Sequence, residues 1–380
     1  MVSEFNSISI DTSIRSEKLD LPEGQGKSLF RWSGQFPPEL IEVLLEKYAH
    51  PGITVLDPFC GSGSVLFESA KRHLKCIGSD INPAAVELSK TVSFCNISKK
   101  NRQAAFGAAY KTLQSSMGVG LPELSSRKLS GSDYESLKDA IKRSASEPLA
   151  RNILLNVLMR FSISKGASTV SDMEKAFEAH KKIIIGLPLV KTGCEVFLSD
   201  ARRLPLRPES VDIVLTSPPY PGVFDYYKNY KWAAHIAGWK ISDVARHEIG
   251  RGKGGTDKLS WVMRYSTDML SALLEIRRVI RYDGRLILVA GRDIQLGMST
   301  FEASALLYIL AVRQCGFRLA ARQQRHFTGR SGSTVTEDIL HLLPAKDVQD
   351  STKRLATEAA EYLYKRGSKG SGKVQNKDSA

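Results

Sequence analysis

VDIVLTSPPY, residues 211–220, is a short apolar run that ends abruptly at two successive prolines, Pro218 and Pro219. An apolar run bounded by a turn signal is typical of a buried strand. Proline lacks an N–H donor and continues neither a ladder nor a helix, so we expect the tetrapeptide that starts at Ser217 to lie at the C-terminal end of that strand. In an open parallel sheet, this edge is where ligands bind.

The tetrapeptide Ser217, Pro218, Pro219 and Tyr220 combines groups that suit a planar heterocycle. A hydroxyl, and a carbonyl that precedes a proline, can accept hydrogen bonds from an exocyclic amino group. The tyrosine ring offers a face on which a base can stack. The alternative without a function is a tight proline turn after a core strand, with a packed tyrosine.

A second motif lies upstream, where residues 57–64 read DPFCGSGS. Two glycines separated by one residue, Gly61 and Gly63, let the backbone turn sharply and approach a ligand closely, with helix N–H groups behind it. The elements predicted around this turn are a strand at 53–56, a helix at 65–72 and a second strand at 75–79. Asp80, at the tip of the second strand, is placed to accept both ribose hydroxyls of a nucleoside.

Together these motifs resemble those of the S-adenosylmethionine-dependent, amino-methylating DNA methyltransferases, which modify cytosine N4 or adenine N6. Ser-Pro-Pro-Tyr resembles their catalytic motif, which implies that Ser217, Pro218, Pro219 and Tyr220 are catalytic. A dinucleotide fold would show Gly-x-Gly-x-x-Gly, whereas Leu66 stands at the third glycine position here. The resemblance covers about residues 30–343. It implies an α/β, Rossmann-like methyltransferase sheet with helices on both faces, an antiparallel closing strand and a helical insertion.

The resemblance also implies S-adenosylmethionine as the cofactor. In this family a Phe-Pro turn before the first strand helps to hold the methionine end, and Phe36 and Pro37 match it; a plain helix cap is the alternative. Asp200 matches an acid beside the cofactor's adenine, or caps the turn before Leu204. The cofactor-binding residues predicted in this way are Phe36, Pro37, Asp57, Pro58, Phe59, Gly61, Gly63, Asp80, Ile81 and Asp200.

The chain is strongly basic, with 54 Lys and Arg against 40 Asp and Glu and a formal net charge of +14. This charge predicts a polyanionic partner, nucleic acid first, although a merely soluble basic protein is the alternative. Rings and cations alternate after Tyr220, in a segment that resembles the loop of cytosine-N4 methyltransferases in which Asp-Tyr and a later Arg-x-Glu-x-Gly recur. The predicted DNA contacts are Tyr226, Lys228, Lys231, Arg246, Arg251 and Lys253, unless the segment is only a solvated basic loop.

Changes of pattern along the chain predict its organisation. The predicted regions are an N-terminal arm (1–28), the cofactor-binding half of the methyltransferase domain (29–97), a helical insertion (98–190), the catalytic half (191–345), and a C-terminal helix with a disordered basic tail (346–380). The insertion shows helix-like spacing without strand alternation. Recognition of the target sequence and a structural helical cap are both open as its role.

The five cysteines are odd in number and never paired at a metal-ligand spacing, so we expect buried thiols, neither a disulfide framework nor a metal site, and a reducing compartment. No stretch approaches the length of a membrane span, and the first residues lack the regions of a signal peptide. We therefore expect a cytoplasmic protein without a membrane partner. Cys60 lies in the glycine loop rather than in the Pro-Cys dipeptide of cytosine-C5 methyltransferases, which argues against that reaction.

The prediction for function is a site-specific DNA methyltransferase that acts on the exocyclic amino group of a base flipped out of a duplex. Ser217 favours cytosine N4, since in the resembling family Ser-Pro-Pro goes more often with cytosine and Asp-Pro-Pro with adenine. Adenine N6 of DNA, guanine N2 or adenine N6 of RNA, and a non-catalytic nucleic-acid-binding subunit are the alternatives. A cognate restriction endonuclease would be a partner in a restriction-modification setting; the recognition sequence and the oligomeric state are open.

Overall fold

The computed structural model of the chain describes residues 2–20, 30, 36–163, 167–221, 230–251, 257–296, 299–329, 332–345 and 353–370. The strands in these ranges are β1 (Thr54–Asp57), β2 (Lys75–Asp80), β3 (Cys194–Leu198), β4 (Val211–Thr216), β5 (Ile280–Gly291), β6 (Asp293–Leu296), β7 (Ser299–Glu302), β8 (Phe317–Thr328) and β9 (Thr334–Pro344). The α-helices are α1 (Val2–Ser7), α2 (Ser16–Leu19), α3 (Pro38–Tyr48), α4 (Ser64–Lys71), α5 (Pro83–Ser89), α6 (Lys99–Met117), α7 (Gly131–Arg143), α8 (Pro148–Ser162), α9 (Val170–Ile185), α10 (Lys231–Ala237), α11 (Ile241–His247), α12 (Lys258–Val279), α13 (Ala303–Gln314) and α14 (Lys353–Gly370).

Seven strands form one sheet in the order β3-β2-β1-β4-β5-β9-β8. The first five strands of the chain pair in parallel, whereas β9 runs antiparallel to both of its neighbours, β5 and β8. The strand order reverses between β1 and β4, and such a reversal opens a crevice at the carboxyl ends of the strands. This is the sheet of a Rossmann-like methyltransferase with its antiparallel closing strand, so the predicted fold class is confirmed.

Helices cover both faces of the sheet because its central strands are apolar on both sides. Val214 lies in a buried core with residues of α12, α13 and α14. Its neighbours in β4, Ile213 and Leu215, point the opposite way and lie in a second core with α3. The crevice at the end of β4 is therefore held between two packed layers.

The chain leaves the sheet after β2 and α5 and returns at β3, and α6 to α9 lie between these points. The helix-like spacing predicted for residues 98–190 corresponds to these four helices. Buried Arg102 of α6 ties the end of α9 back by donating to the carbonyls of Ile184 (3.1 Å) and Pro188 (2.8 Å). Trp232 of α10 packs its ring against Tyr134 and Phe161, so α10 packs on this helical region.

The structure differs from the predicted elements at both ends of the chain. Residues 2–7 form helix α1 rather than an irregular arm, and Phe5 is buried beneath Arg322, whose guanidinium lies 3.9 Å from the ring centroid and donates to the Phe5 carbonyl. This helix is held by a contact with a distant strand, which local periodicity does not reveal. Helix α14 continues to Gly370, past Arg366, where we expected the disordered tail to begin.

The β6–β7 hairpin was also missed, and the helix expected from Phe301 begins only at Ala303.

Within the described ranges, none of the helices combines the length and the apolar character that a bilayer span requires.

Candidate active site

A cleft of about 880 Å³, partly open to solvent, lies at the carboxyl ends of the central parallel strands. The predicted site residues that line it are Phe36, Asp57, Pro58, Phe59, Gly61, Ile81, Asp80, Asp200, Ser217 and Pro219. The structure thus brings most of the predicted cofactor residues together with two residues of the Ser-Pro-Pro-Tyr motif.

The glycine loop between β1 and α4 depends on left-handed backbone. Gly61 has a φ of 50° and Gly63 a φ of 86°. A Cβ atom on Gly63 would lie 2.9 Å from the backbone Cα of Ser89, so no larger residue fits there. Gly63 is not among the cleft-lining residues; it shapes the loop from behind, through its packing against α5.

Two carboxylates flank this loop, and of these Asp57 is buried and Asp80 half-buried. Asp80 accepts hydrogen bonds from the backbone N–H of Gly61 (3.0 Å) and of Asn82 (2.8 Å). Burial raises the pKa of Asp80 to about 6, although these backbone hydrogen bonds act in the opposite direction. Asp57 accepts from the Thr216 hydroxyl at 2.6 Å and from the Phe59 N–H at 3.1 Å, and burial raises its pKa to about 7.

The hydrogen bond from Thr216 to Asp57 joins the two motifs that the sequence singled out. Thr216 is the last residue of β4 and Asp57 the last of β1, and both side chains are buried. The residue after Thr216 is Ser217, which lines the cleft. The glycine loop and the Ser-Pro-Pro-Tyr motif are therefore neighbours at one sheet edge.

Within the motif, Ser217 and Pro219 line the cleft and Pro218 is buried. Tyr220 is half-buried, and its hydroxyl donates to a carboxylate oxygen of Glu337 at 2.7 Å. The Ser217 Oγ lies 3.5 Å from the Tyr220 Oη. Glu337 belongs to β9 and was not singled out by sequence reasoning, because no local pattern marks it.

The segment after α11 closes the cleft on one side. His247, Glu248 and Ile249 line it, although of the Arg-x-Glu-x-Gly pattern only Arg246 was predicted to be functional. The His247 carbonyl accepts from the Arg202 Nη2 at 2.9 Å. Gly250 has a φ of 81°, and a Cβ atom there would lie 3.3 Å from the Tyr220 carbonyl oxygen, so the backbones of the two motifs touch.

Asp200 fits both of its predicted roles, since it lines the cleft and also holds its own turn. Its carboxylate accepts from the Arg202 backbone N–H at 2.9 Å and forms an ion pair with the Arg202 guanidinium at 2.6 Å. Arg202 in turn pairs with Asp268 of α12. Arg202 thus connects the tip of β3 to the segment that closes the cleft.

Further lining residues, Cys60, Ser62, Ser64, Val65, Asn82 and Ala201, were not predicted as site residues. Asn82 is the N-cap of α5, where its side chain accepts from the Ala84 N–H at 3.0 Å. Most of these residues are immediate sequence neighbours of predicted ones. Their position next to the motifs was therefore the signal in the sequence that could have identified them as site residues. Pro37 is the N-cap of α3, next to Phe36.

Three of the six predicted DNA contacts lie within the described residues. Lys231 is exposed at the start of α10, on the helix that packs against the helical region. Arg246 is exposed and Arg251 half-buried on either side of the segment that lines the cleft. The remaining predicted contacts, Tyr226, Lys228 and Lys253, lie outside the described residues.

Comparison with known proteins supports the motif analysis. A model of the N6/N4 methyltransferase family, described as DNA methylase, matches residues 6–91. The type II methyltransferase M.MjaII of Methanocaldococcus jannaschii is 36% identical over 52 residues, which make up 14% of this chain and 10% of that protein. The alignment therefore spans about a tenth of the length of this curated relative.

Solved structures of low overall similarity include three methyltransferases. An S-adenosylmethionine-dependent methyltransferase from Methanosarcina mazei is 12% identical with a TM-score of 0.36, over 80% of this chain and 98% of its own. One from Agrobacterium tumefaciens is 14% identical with a TM-score of 0.35, over 83% and 65%. An rRNA methyltransferase from Streptomyces viridochromogenes is 13% identical with a TM-score of 0.33, over 82% and 88%. The fold assignment rests on the strand order and not on these likenesses.

The strand order, the glycine loop at the end of β1 and the family match over residues 6–91 agree with one another, since each is a feature of S-adenosylmethionine-dependent methyltransferases. The match to the DNA methylase family confirms the predicted resemblance to the amino-methylating DNA methyltransferases. The matched family is described as DNA methylase, which agrees with S-adenosylmethionine as the predicted cofactor and with DNA as the predicted substrate class.

The cleft has the chemistry to accept this cofactor. A carboxylate offers about four lone-pair sites, and the Asp80 carboxylate accepts from the N–H groups of Gly61 and Asn82, with a lesser backbone contribution from Ile81. The remaining lone-pair sites are available to ribose hydroxyls. The apolar side chains of Phe36 and Ile81 line the same space, where they would contact the less polar parts of the cofactor.

The raised pKa values of Asp57 and Asp80 predict that cofactor affinity depends on pH. Hydroxyl groups that donate to Asp80 favour its ionised form, so binding releases a proton wherever the free protein still holds one. Affinity is therefore expected to rise from about pH 5.5 to about 7.5 and to level off above the pKa of about 7 of Asp57. Calorimetric titration across this range, in buffers of different ionisation heat, measures both the affinity and the proton release.

Asp80→Asn is the matched variant for this titration, because it keeps the shape of the side chain and removes the titrating group. Its pH dependence is expected to be flatter than that of the wild type, with the part due to Asp57 remaining. An affinity that is constant over the whole range, or that falls with rising pH, would contradict the assignment.

Proposed function

We propose that the protein is a site-specific DNA methyltransferase that transfers a methyl group from S-adenosylmethionine to N4 of a cytosine flipped out of the duplex. The observation that carries this proposal is the shared cleft of Ser217, Pro219, the glycine loop and Asp80. A base that meets the Ser-Pro-Pro-Tyr motif there would lie beside the cofactor loop.

The residues of the motif act by positioning the amino group. An exocyclic amino nitrogen is a poor nucleophile, because its lone pair is delocalised into the ring. Hydrogen bonds from its two N–H groups to the Ser217 hydroxyl and to the Pro218 carbonyl would favour a pyramidal nitrogen and free that lone pair. S-adenosylmethionine supplies an electrophilic methyl group on its sulfonium. Most of the rate enhancement would then come from orientation within the cleft.

The first motif position holds serine, Ser217, rather than aspartate, and this supports cytosine over adenine. The family match covers methylation at both N4 and N6, so the choice rests on Ser217 alone. A neutral hydroxyl at this position accepts a hydrogen bond without adding a further negative charge near Asp57 and Asp80.

Several parts of the chain are proposed to hold the DNA. The range 225–264 has a net charge of +4, from eight Lys or Arg and four Asp or Glu, which suits contacts to phosphates. Lys231, Arg246 and Arg251 are its predicted contacts that the structure describes. We assign target recognition to α6–α9, since α10, which follows the Ser-Pro-Pro-Tyr motif in the sequence, packs on this helical region through Trp232. The similarity to a type II methyltransferase favours a restriction-modification setting, with a cognate endonuclease as partner.

Incubation of the purified protein with isotopically labelled S-adenosylmethionine and either duplex DNA or bulk RNA tests the proposal. After digestion to nucleosides, mass spectrometry is expected to find the label in N4-methylcytosine from DNA. Label in N6-methyladenine would keep the family and overturn the choice of base. Label in RNA alone would assign the protein to the RNA-modifying alternative.

A further inference from the structure

A buried chain of polar groups runs from the active site into the last two strands of the sheet. The Tyr220 hydroxyl donates to Glu337 Oε1 at 2.7 Å, and Arg325 Nε donates to Glu337 Oε2 at 2.7 Å. Ser217 Oγ, at the cleft, lies 3.5 Å from Tyr220 Oη and forms the longest contact in the chain. The order of groups is therefore Ser217, Tyr220, Glu337 and Arg325.

The sheet fixes the far end of this chain. Arg325 of β8 and Glu337 of β9 are register partners across the strand pair, and their side chains are 2% and 10% exposed. The Arg325 guanidinium also lies 4.3 Å from the centroid of the Phe327 ring. Its Nη1 atom has no hydrogen-bond partner among the described residues, so the buried cation depends on Glu337 for its counter-charge.

The position of the Tyr220 ring is fixed by its packing against β5. Glu337 pairs with Gly291 on its other side, across β5 and β9. A Cβ atom on Gly291 would lie 3.5 Å from the Tyr220 ring, so the ring packs closely against the end of β5. The hydroxyl of Tyr220 is thereby aimed at one fixed acceptor.

A carboxylate in an ion pair has no proton to give, and this sets the direction of every hydrogen bond in the chain. Tyr220 has a single hydroxyl proton and donates it to Glu337. Toward Ser217 the tyrosine oxygen can then only accept, so the proton in that contact must come from Ser217. With its proton engaged, the Ser217 oxygen presents lone pairs to the cleft.

We propose that Glu337, held by Arg325, is a positioning residue that makes the Ser217 hydroxyl a hydrogen-bond acceptor toward the substrate. This inference rests on the proposed function of the Ser-Pro-Pro-Tyr motif. An acceptor at Ser217 pairs with the N–H of an amino group and disfavours a carbonyl oxygen at the same position. The buried ion pair thus selects cytosine over thymine or uracil without touching the base.

Glu337→Gln tests the proposal because the amide of glutamine can donate. The Tyr220 proton is then free to point at Ser217, which turns the serine hydroxyl toward the cleft as a donor. The single-turnover rate of methyl transfer is expected to fall about 10- to 100-fold, less than the roughly 10²–10³ for outright loss of one oriented hydrogen-bond partner because the Ser217 oxygen stays in place, with cofactor affinity within about twofold. In a Tyr220→Phe background, Glu337→Gln is expected to cause no further loss.

Asp338→Asn is the matched control, since it breaks the neighbouring buried ion pair with Arg322 and has no contact with Tyr220. Like Glu337→Gln, Asp338→Asn removes the counter-charge of a buried arginine. The methyl-transfer rate of Asp338→Asn is expected to stay within about threefold of the wild-type rate. Losses from Tyr220→Phe and Glu337→Gln that multiply in the double variant, or an equal loss in Asp338→Asn, would overturn the proposal. Tyr220→Phe leaves the Glu337–Arg325 ion pair in place. The rate measured for this variant therefore tests the proposal even if Glu337→Gln is unstable.

NMR of protein labelled with ¹³C at tyrosine Cζ tests the hydrogen-bond direction without catalysis. The Tyr220 signal, identified by its loss in Tyr220→Phe, is expected to move in Glu337→Gln and to stay in place in Asp338→Asn. An unmoved signal in Glu337→Gln would overturn the proposal. Absence of methyl transfer by the wild-type protein would overturn the proposed function and the selection of amino groups, whereas this spectrum would still decide the direction of the bonds.

Discussion

Ser217→Ala is expected to lower the single-turnover rate of methyl transfer at least about 100-fold, while the dissociation constant of S-adenosylmethionine stays within about twofold of the wild-type value. The substitution removes the proposed acceptor for the target amino group, and the loss of one oriented hydrogen-bond partner in a transition state costs about 10²–10³ in rate. Ser217 lines the cleft, and the hydrogen bonds of the glycine loop described above do not involve it. Rapid-quench measurement with labelled cofactor, together with calorimetric titration, separates the two effects.

Ser210→Ala is the control for this experiment. Ser210 directly precedes β4 at its opposite end, and its hydroxyl donates to the Arg207 carbonyl at 2.7 Å. The same chemical change there is expected to leave the rate unaltered. Turnover by Ser217→Ala at the wild-type rate would refute the proposed role of the motif.

Asp80→Ala is expected to act on the cofactor instead, raising its dissociation constant about 30- to 1,000-fold. The variant loses two charge-assisted hydrogen bonds to the ribose, each worth about 1.5–3 kcal/mol less the cost of burying the carboxylate. It also frees the backbone N–H groups of Gly61 and Asn82, so the loop loses its internal acceptor. Calorimetric titration at about pH 7.5 gives the affinity, and turnover at saturating cofactor is expected to recover to within about tenfold of wild type.

Glu195→Ala provides the comparison for Asp80→Ala. Glu195 is an exposed residue of β3, the strand next to β2, and it is outside the cleft lining. Removal of its charge is expected to leave cofactor affinity unchanged. An unchanged affinity in Asp80→Ala itself would show that the ribose hydroxyls bind elsewhere.

The sequence predicted those parts of the site that follow directly from local pattern. The run that ends at Ser217 and the βαβ unit around Gly61 each combine an apolar strand with a turn signal, so their strands and their ligand-binding ends could be located. Because the strands are parallel, their carboxyl ends lie side by side at one edge of the sheet. The hydrogen bond from Thr216 to Asp57 joins the two strand ends there.

The contacts that the sequence did not predict join residues far apart in the chain. Tyr220 and Glu337 are separated by 117 positions, and their contact exists only because β9 lies between β5 and β8. Phe5 similarly depends on Arg322. Neither pair has a periodic signature, since each is set by strand register and tertiary packing rather than by local backbone preference.

The position of β9 bears on when the protein becomes active during its synthesis. The ribosome delivers the cofactor half of the chain first, but β9 pairs on both sides and can take its place only after β5 and β8 have been made. Glu337 is therefore among the last residues to reach Tyr220. A nascent or prematurely terminated chain would carry the glycine loop without Glu337 beside Tyr220, which would confine the proposed methyl transfer to chains that have been translated through this strand.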